Sequence, residues 1–251
     1  MRATRFSIPA TVVVLSVAIG VGAAQAQVAA PIAAENVVLE GSHWAAVLPL
    51  LEAAGLHVTA LETPPTSLDT SAAETRRVLA LQDGPTVLVG HATDGTVVSE
   101  VGGDPMVSAL VFVAAHAPEA GEDLAALAAR FPILGKAAQP INGKTDAAAW
   151  REKPSFYAVS GEDQTMAPEL QRFYAARMKA KTIVLEAGDR SMESHPREIA
   201  GLILEAAGMK PPACGAAGDD GKAACAAPAL PRSVAAGCKC TKTPLEDLTA
   251  P

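Results

Sequence analysis

The sequence has little aromatic content, few cysteines and fewer basic than acidic residues. Phenylalanine, tyrosine and tryptophan together form 4% of the 251 residues, so valine, leucine and alanine must build any core. The 20 lysines and arginines are outnumbered by 27 aspartates and glutamates, which gives a formal net charge of −7. Because such an acidic chain has no basic patch, we expect no nucleic acid partner.

Residues 1–26 have the three-part pattern of a secretory signal peptide. Arg2 and Arg5 form a basic start, an apolar stretch covers about residues 8–23, and Ala24–Ala26 has the small-x-small cleavage pattern. An uncleaved membrane anchor is the alternative, but a proline, a serine and two glycines interrupt the short apolar stretch. We expect a mature periplasmic or secreted chain that begins near Gln27. No later run is long enough to span a bilayer, so we expect no membrane partner after cleavage.

The four cysteines all lie in the last part of the chain, at Cys214, Cys225, Cys238 and Cys240. In an oxidising compartment they predict two disulfides, for which three pairings are possible. A metal site is the alternative, indicated by the close spacing of Cys238 and Cys240. However, no histidine follows Gly208 and the spacing matches no zinc-binding pattern, so we expect neither a metal nor another cofactor.

From Asn36 to Gly208, short apolar β runs alternate with helical patterns. The predicted strands are Val37–Leu39, His57–Leu61, Thr86–Val89, Ala109–Val113, Ser155–Ser160 and Thr182–Leu185. Helical spacing follows each of the first three strands, and Pro168 and Pro196 begin two further helices. Ser71 followed by Glu74 predicts a capping box where the second helix begins. The alternation predicts an α/β fold with a mostly parallel sheet covered by helices on both faces.

Two regions depart from this alternation. Residues 119–153 hold one helical stretch, Glu122–Arg130, followed by a segment rich in glycine, proline and lysine at the place of a lid. Residues 209–251 are rich in alanine, glycine, proline and cysteine and have no sustained period, which is typical of a tail or linker. We therefore expect one globular domain over residues 27–208, with a reduced lid.

Five segments resemble esterase-like members of the α/β-hydrolase superfamily. They are Val78–His91, Asp104–Pro118, Lys153–Tyr157, Glu169–Arg177 and Ser194–Ile199, and the resemblance spans about residues 36–207. The resemblance implies the α/β-hydrolase fold. It also implies a site at the carboxyl ends of the strands, where ligands of such sheets bind. In that family a serine, a histidine and a carboxylate act together there in acyl transfer.

The nucleophile of that family lies in a tight turn with the pattern Gly-x-Ser-x-Gly. The corresponding turn here is Gly90–Asp94, which places Ala92 at the serine position and Asp94 at the second glycine. A methyl group cannot attack a carbonyl, so the resemblance implies that the nucleophile is lost. The side chain of Asp94 is also expected to obstruct the close passage of turn and helix. Thr93 has a hydroxyl, but it is displaced by one residue.

The other two triad positions differ in what they retain. Asp189 stands where the family has its histidine, whereas Asp163 matches the family's carboxylate. A turn aspartate that leads a helix is the alternative for Asp163. His195 is a later histidine of the pattern. We expect it to cap the last helix, because a general base needs direct reach to the nucleophile.

The predicted oxyanion region contains Gly41 and Thr93. The family has a histidine–glycine pair after the corresponding strand, and Glu40 replaces that histidine here. A carboxylate at this place opposes a developing oxyanion rather than stabilising it. The loop that follows is also several residues shorter than in the family.

Three functional hypotheses follow from these residues. In the first, the protein is a non-hydrolytic homologue, either a protein that binds a small-molecule ligand, an ester or another partner, or a relic. In the second, it is an active hydrolase with a non-standard acid–base site, drawn from Asp94, Asp163, Asp189, His43, His91 and His195. In the third, the globular part is a scaffold for the cysteine-containing tail. The combined changes of nucleophile, histidine, oxyanion loop and lid favour the first hypothesis.

Overall fold

The structure is a computed structural model that describes residues 34–62, 67–133 and 141–210. The predicted signal peptide, the four cysteines and part of the predicted lid lie outside the described residues. Within the described ranges, no helix combines the length and the apolar character needed to cross a membrane.

Six strands form one sheet in the described part of the chain. They are β1 (Asn36–Glu40), β2 (His57–Leu61), β3 (Thr86–His91), β4 (Val107–Val113), β5 (Ser155–Ser160) and β6 (Lys181–Leu185). Their order is β2-β1-β3-β4-β5-β6, and every neighbouring pair is parallel, which confirms the predicted parallel sheet. The strand order reverses between β1 and β3, and ligands of open α/β sheets bind at the carboxyl edge beside such a reversal.

Burial follows the position of each strand in the sheet. Every residue of β1, β3 and β5 is buried, because helices cover both faces of these inner strands. The edge strands β2 and β6 keep several exposed residues. Four of the six predicted runs therefore correspond to inner strands, and His57–Leu61 and Thr182–Leu185 correspond to the two edge strands.

Helices cover both faces of the sheet. They are α1 (Leu48–Ala53), α2 (Leu68–Leu79), α3 (Gly95–Val101), α4 (Leu124–Ala128), α5 (Pro168–Met178), α6 (Ser191–Ser194) and α7 (Pro196–Ala206). One buried apolar cluster joins the sheet to α2, α3, α4 and α5, and a second joins it to α1, α6 and α7. The prediction that helices cover both faces of the sheet is confirmed.

The start of α2 differs from the prediction. Ser67, and not Ser71, is the N-cap residue, and its hydroxyl accepts a hydrogen bond from the Thr70 amide at 3.3 Å. Ser71 lies inside the helix with an exposed fraction of 1%, so the predicted capping box with Glu74 is wrong. The helix begins earlier because Leu68 already belongs to the apolar core.

Candidate functional site

The predicted site residues follow the carboxyl ends of four strands. Gly41 follows β1, Ala92, Thr93 and Asp94 follow β3, Asp163 follows β5, and Asp189 and His195 follow β6. Because the strands are parallel, these ends lie at one edge of the sheet. This is the edge at which α/β proteins bind ligands.

The turn after β3 has a strained backbone at its apex. Ala92 has a φ of 50°, in the left-handed region that residues with a side chain seldom adopt. A Cβ built on Gly90 would lie 2.7 Å from Val98 Cγ2 and 3.0 Å from the Gly95 nitrogen, so the turn requires glycine at position 90. The backbone therefore has the sharp strand-to-helix form of a nucleophile elbow, with a methyl group at its apex.

The chain after this turn comes closest to the loop after β4 at Gly95. A Cβ at Gly95 would lie 2.2 Å from the carbonyl oxygen of His116, and the His116 amide donates to the Ala92 carbonyl at 2.9 Å. The expectation that Asp94 would obstruct the helix is therefore wrong. Asp94 has ordinary helical dihedral angles, and the glycine that follows it makes the close contact.

The carboxylate of Asp94 lies against Gly41, in the predicted oxyanion region. Gly41 has a φ of 90°, and a Cβ built on it would lie 2.4 Å from Asp94 Oδ2. The Gly41 amide donates to the Leu61 carbonyl at 3.0 Å and so continues the pairing of β1 with β2. Gly41 thus has no free amide proton for an oxyanion, and a negatively charged side chain lies beside it. Thr93 lies in the short 3-10 helix Ala92–Asp94 and is partly exposed.

Glu40 is a fully buried carboxyl group at the end of β1. Its exposed fraction is 0%, and neither carboxyl oxygen has a hydrogen-bond partner among the described residues. Burial raises the pKa of Glu40 to about 8; the nearby Thr75 hydroxyl opposes this effect, and the charges of Asp94 and Glu74 reinforce it. Burial also raises the pKa of Asp94 to about 6. At neutral pH, Glu40 is therefore mostly protonated and Asp94 mostly ionised.

Asp163 is buried and is bonded within its own turn. Its Oδ1 accepts from the Thr165 amide at 2.7 Å, the Thr165 hydroxyl at 2.8 Å and the Met166 amide at 3.0 Å. Its Oδ2 accepts from Gln171 Nε2 at 2.8 Å, and Gln171 Oε1 in turn accepts from the Ser160 amide. These contacts hold the β5–α5 connection, and they leave little capacity to orient a histidine.

The loop that carries Asp189 is joined to the elbow by a histidine. The Nε2 atom of His91 lies 2.9 Å from the Asp189 carbonyl oxygen. Burial lowers the pKa of His91, so the ring is neutral at neutral pH and donates to this carbonyl. The residue at the family's histidine position thus contributes its backbone to a structural contact.

No family model matches the sequence, and no curated protein matches it. Solved structures match over most of their length. The pyrethroid hydrolase from Sphingobium faniae JZ-2 is 17% identical, with a TM-score of 0.55, over 70% of this chain and 97% of its own. The extracellular α/β-hydrolase from a Paenibacillus species is 16% identical, with a TM-score of 0.56, over 68% of this chain and 98% of its own. The chain has the α/β-hydrolase fold.

A third similar structure is polyneuridine aldehyde esterase, which is 19% identical with a TM-score of 0.54. The match covers 68% of this chain and 98% of that one. Identities this low establish the α/β-hydrolase fold alone, because one fold supports many unrelated activities. Function must therefore be argued from the residues at the carboxyl edge.

The remaining histidines at this edge of the α/β-hydrolase fold have local partners. Nδ1 of His195 lies 2.9 Å from the hydroxyl oxygen of its neighbour Ser194. His195 stands at the N-cap position of α7 as expected, but its side chain makes no capping hydrogen bond. His43 has a φ of 76°, and its Nδ1 lies 2.8 Å from Glu193 Oε1. This pair joins the loop after β1 to α6. Glu193 was not predicted, because no sequence pattern relates it to a histidine 150 residues away.

Two buried tyrosines support the elbow from the side of β4, and sequence reasoning missed both. The Tyr157 hydroxyl donates to the Ala115 carbonyl at 2.6 Å and accepts from the Ala115 amide at 3.1 Å. The Tyr174 hydroxyl lies 3.2 Å from Nδ1 of His116, whose pKa burial lowers to about 4. These contacts fix the loop that Gly95 touches.

The edge therefore combines an intact turn with a changed set of reactive groups. It holds a methyl group at the apex, an ionised carboxylate in the oxyanion region and a protonated carboxyl behind it. Among the described residues, no group of three or more histidine, cysteine, aspartate or glutamate side chains is arranged to hold a metal ion.

Proposed function

We propose that this protein is an exported, non-hydrolytic protein that uses the α/β-hydrolase fold to bind a small molecule. The observation that carries the non-hydrolytic part of the proposal is the methyl group of Ala92 at the apex of the elbow turn. In subtilisin, removal of the nucleophilic serine alone lowers turnover about a million-fold. A turn of this form without a nucleophile cannot start acyl transfer.

The neighbouring groups support the same proposal. Asp163 is engaged by its own turn, and the amide of Gly41 is engaged by the sheet. The carboxylate of Asp94 lies where an oxyanion would need hydrogen-bond donors. Substitution of the apex residue alone would therefore leave the base and the oxyanion hole missing.

The direct test is ester hydrolysis by the purified mature protein. Short acyl esters of p-nitrophenol are the substrates, and a fluorophosphonate probe reports any reactive serine. We expect background rates and no labelling from the natural protein. Ala92→Ser, with cooperative thermal unfolding as the control for folding, should also remain near background. Turnover or labelling by the natural protein would overturn the proposal.

One observation favours a second candidate, an acid–base enzyme that does not use serine. Asp94 is partly exposed at the ligand edge, and burial raises its pKa to about 6, a value suited to a general base near neutral pH. His195, the other alternative residue, is bonded to Ser194. An activity that rises with pH through the pKa of Asp94 and disappears in Asp94→Asn would support this candidate. Retained activity in Asp94→Asn would exclude Asp94.

Export is supported by the N-terminal pattern of basic residues, apolar stretch and small-x-small site. The test is expression of the full chain in a Gram-negative host, followed by fractionation and N-terminal sequencing. We expect a periplasmic or secreted product that begins at Gln27 and is free of membrane. A product that keeps residues 1–26 in the membrane fraction would contradict this part of the proposal.

A further inference from the structure

Glu40 stands out because its carboxyl group lacks the partners that buried polar groups normally have. More than nine in ten buried polar groups in proteins are hydrogen-bonded, and an unpaired one needs an explanation such as a water, an ion or a functional role. Glu40 has an exposed fraction of 0% and two unpaired oxygens among the described residues. It also lies at the strand reversal between β1 and β3, where α/β proteins bind ligands.

The groups around Glu40 do not replace the missing donors. On α2, the Thr75 hydroxyl is close enough to lower the pKa of Glu40, but it donates its single proton to the Ser71 carbonyl at 2.8 Å and makes no hydrogen bond of normal geometry to Glu40. Also on α2, Glu74 is held by Arg77, with nitrogen–oxygen distances of 2.6 and 3.0 Å. From the elbow, Asp94 adds a second carboxyl group, which is an acceptor when ionised.

Asp94 is the partly exposed carboxyl group next to this buried one. It is only partly buried, and its Oδ2 lies against Gly41, the residue directly after Glu40. At neutral pH, Asp94 is an ionised acceptor, and the mostly protonated Glu40 still has an oxygen that can accept a hydrogen bond.

We propose that Glu40 and Asp94 form the binding site for a small ligand that carries a primary ammonium group. An ammonium group has three N–H donors and a positive charge, which match the unpaired oxygens of Glu40 and the carboxylate of Asp94. The place where a hydrolase of this fold stabilises negative charge thus prefers positive charge here. The inference holds whether or not esters are hydrolysed, so the two proposals can fail separately.

The proposal also fixes how binding depends on pH. As the pH rises through the pKa of Glu40, about 8, the pair loses its remaining proton and becomes more negative. An ammonium ligand that stays protonated in this range should therefore bind more tightly. Among the described residues, Asp94 and Glu74 are the charged groups that act on Glu40; Glu74 is paired with Arg77, and only Asp94 lies at the ligand edge.

The chain offers an internal reporter and an internal control for this binding. Its two tryptophans each give one indole N–H signal in a ¹⁵N NMR spectrum. The indole of Trp44 donates to the backbone carbonyl of Glu40 at 3.1 Å, whereas that of Trp150 donates to the Pro118 carbonyl at 2.8 Å. Binding at the carboxyl pair should move the Trp44 signal and leave the Trp150 signal in place.

The experiment titrates the mature protein with three salts at matched ionic strength. Butylammonium chloride should shift the Trp44 signal, and its affinity should rise between neutral pH and pH 9. Sodium butyrate has a chain of similar length and the opposite charge, and tetramethylammonium chloride has the charge without N–H donors. We expect neither control to shift Trp44. A Trp44 shift by butyrate of similar affinity, or no shift by butylammonium, would overturn the proposal.

Two variants and a matched control assign the effect to the pair. Asp94→Asn should weaken butylammonium binding by about tenfold or more, as expected for loss of a charged partner. Glu40→Gln should abolish the pH dependence of binding. Glu162→Gln removes an exposed carboxylate at the same edge and should change neither property. An unmoved Trp150 signal verifies the fold of each variant, and an unchanged affinity in Asp94→Asn would refute the assignment.

Discussion

The ring nitrogen Nε2 of His91 lies 2.9 Å from the carbonyl oxygen of Asp189, so the residue before the elbow apex is bonded to the residue at the family's histidine position. Burial keeps this ring neutral by lowering its pKa. The contact joins β3 to the loop after β6 through the backbone of Asp189. The side chain at position 189 can therefore change without removing the contact that holds the loop.

This arrangement predicts that a rebuilt triad folds but remains inefficient. In Ala92→Ser combined with Asp189→His, the new histidine meets an Asp163 whose oxygens already accept four hydrogen bonds. The gain in p-nitrophenyl acetate hydrolysis over Ala92→Ser should stay below the roughly hundredfold minimum of a well-placed general base. A larger gain would mean that Asp163 turns towards position 189.

Gly95 predicts a large difference between two glycine substitutions near α3. A Cβ at Gly95 would lie 2.2 Å from the His116 carbonyl oxygen, whereas a Cβ at Gly103 meets nothing within 4 Å. Gly95→Ala should lower the free energy of unfolding by about 1–3 kcal/mol, because the chain must shift to admit the methyl group. Gly103→Ala should change it by about 0.5 kcal/mol or less. Urea denaturation of the two variants measures both values. Equal stabilities would show that the His116 carbonyl leaves room for a methyl group at position 95.

Removal of the Asp163 carboxylate should destabilise the fold, because its contacts are structural. Asp163→Ala leaves the Thr165 and Met166 amides without their acceptor. It also removes one of the two acceptors of Gln171 Nε2, which keeps the Met166 carbonyl. We expect a loss of about 2–3 kcal/mol in the free energy of unfolding. Glu162→Ala, at the exposed neighbouring position, is the matched control and should stay within about 0.5 kcal/mol of the parent. A small loss in Asp163→Ala, with cooperative unfolding, would mean that water replaces these bonds.

Glu40 predicts a stability that declines as the pH rises. Its pKa is about 8 in the folded protein against the usual 4.5, so the folded state retains a proton that the unfolded state releases. The stabilising contribution is complete below the usual pKa and is lost as the pH rises towards the folded value, at up to about 1.4 kcal/mol per pH unit. Glu40→Met has no such proton, so its stability relative to the parent should increase across this range.

Urea denaturation at a series of pH values measures this difference, and Glu52→Gln provides an exposed control. His91 and His116 titrate in both proteins and cancel in the comparison. Parallel stability curves for Glu40→Met and the parent would contradict a protonated Glu40. A Glu40→Met variant that is less stable at every pH would mean that the carboxyl group has partners in solution.

The fold could be predicted well because its signals are local. Continuous apolar runs such as Thr86–Val89 and Ala109–Val113 are typical of strands buried on both faces, and the helical patterns between them imply parallel pairing. The ends of the helices were predicted less accurately than their presence. Both Ser67 and Ser71 can cap a helix, and the choice depends on the burial of Leu68, which no short pattern reveals.

The candidate site could be predicted only in part, because its contacts join distant segments. Position in the pattern sufficed to place Ala92 at the elbow apex. The contact of Asp94 with Gly41 spans two strand ends, and the bond between Asp163 and Gln171 depends on the angle at which α5 leaves the turn. That no described residue makes a hydrogen bond to the Glu40 carboxyl oxygens depends on all of the neighbouring elements together, so no local pattern could reveal it.

Ala92 has the left-handed backbone conformation of a nucleophile elbow, although its side chain has no hydroxyl group to act as nucleophile. The shape of the turn comes from the glycines at 90 and 95 and from the bond between the His116 amide and the Ala92 carbonyl. None of these features involves the side chain at position 92. The backbone conformation at position 92 is therefore independent of the side chain there. Serine, cysteine or aspartate substituted at this position would project from the same backbone in the same direction.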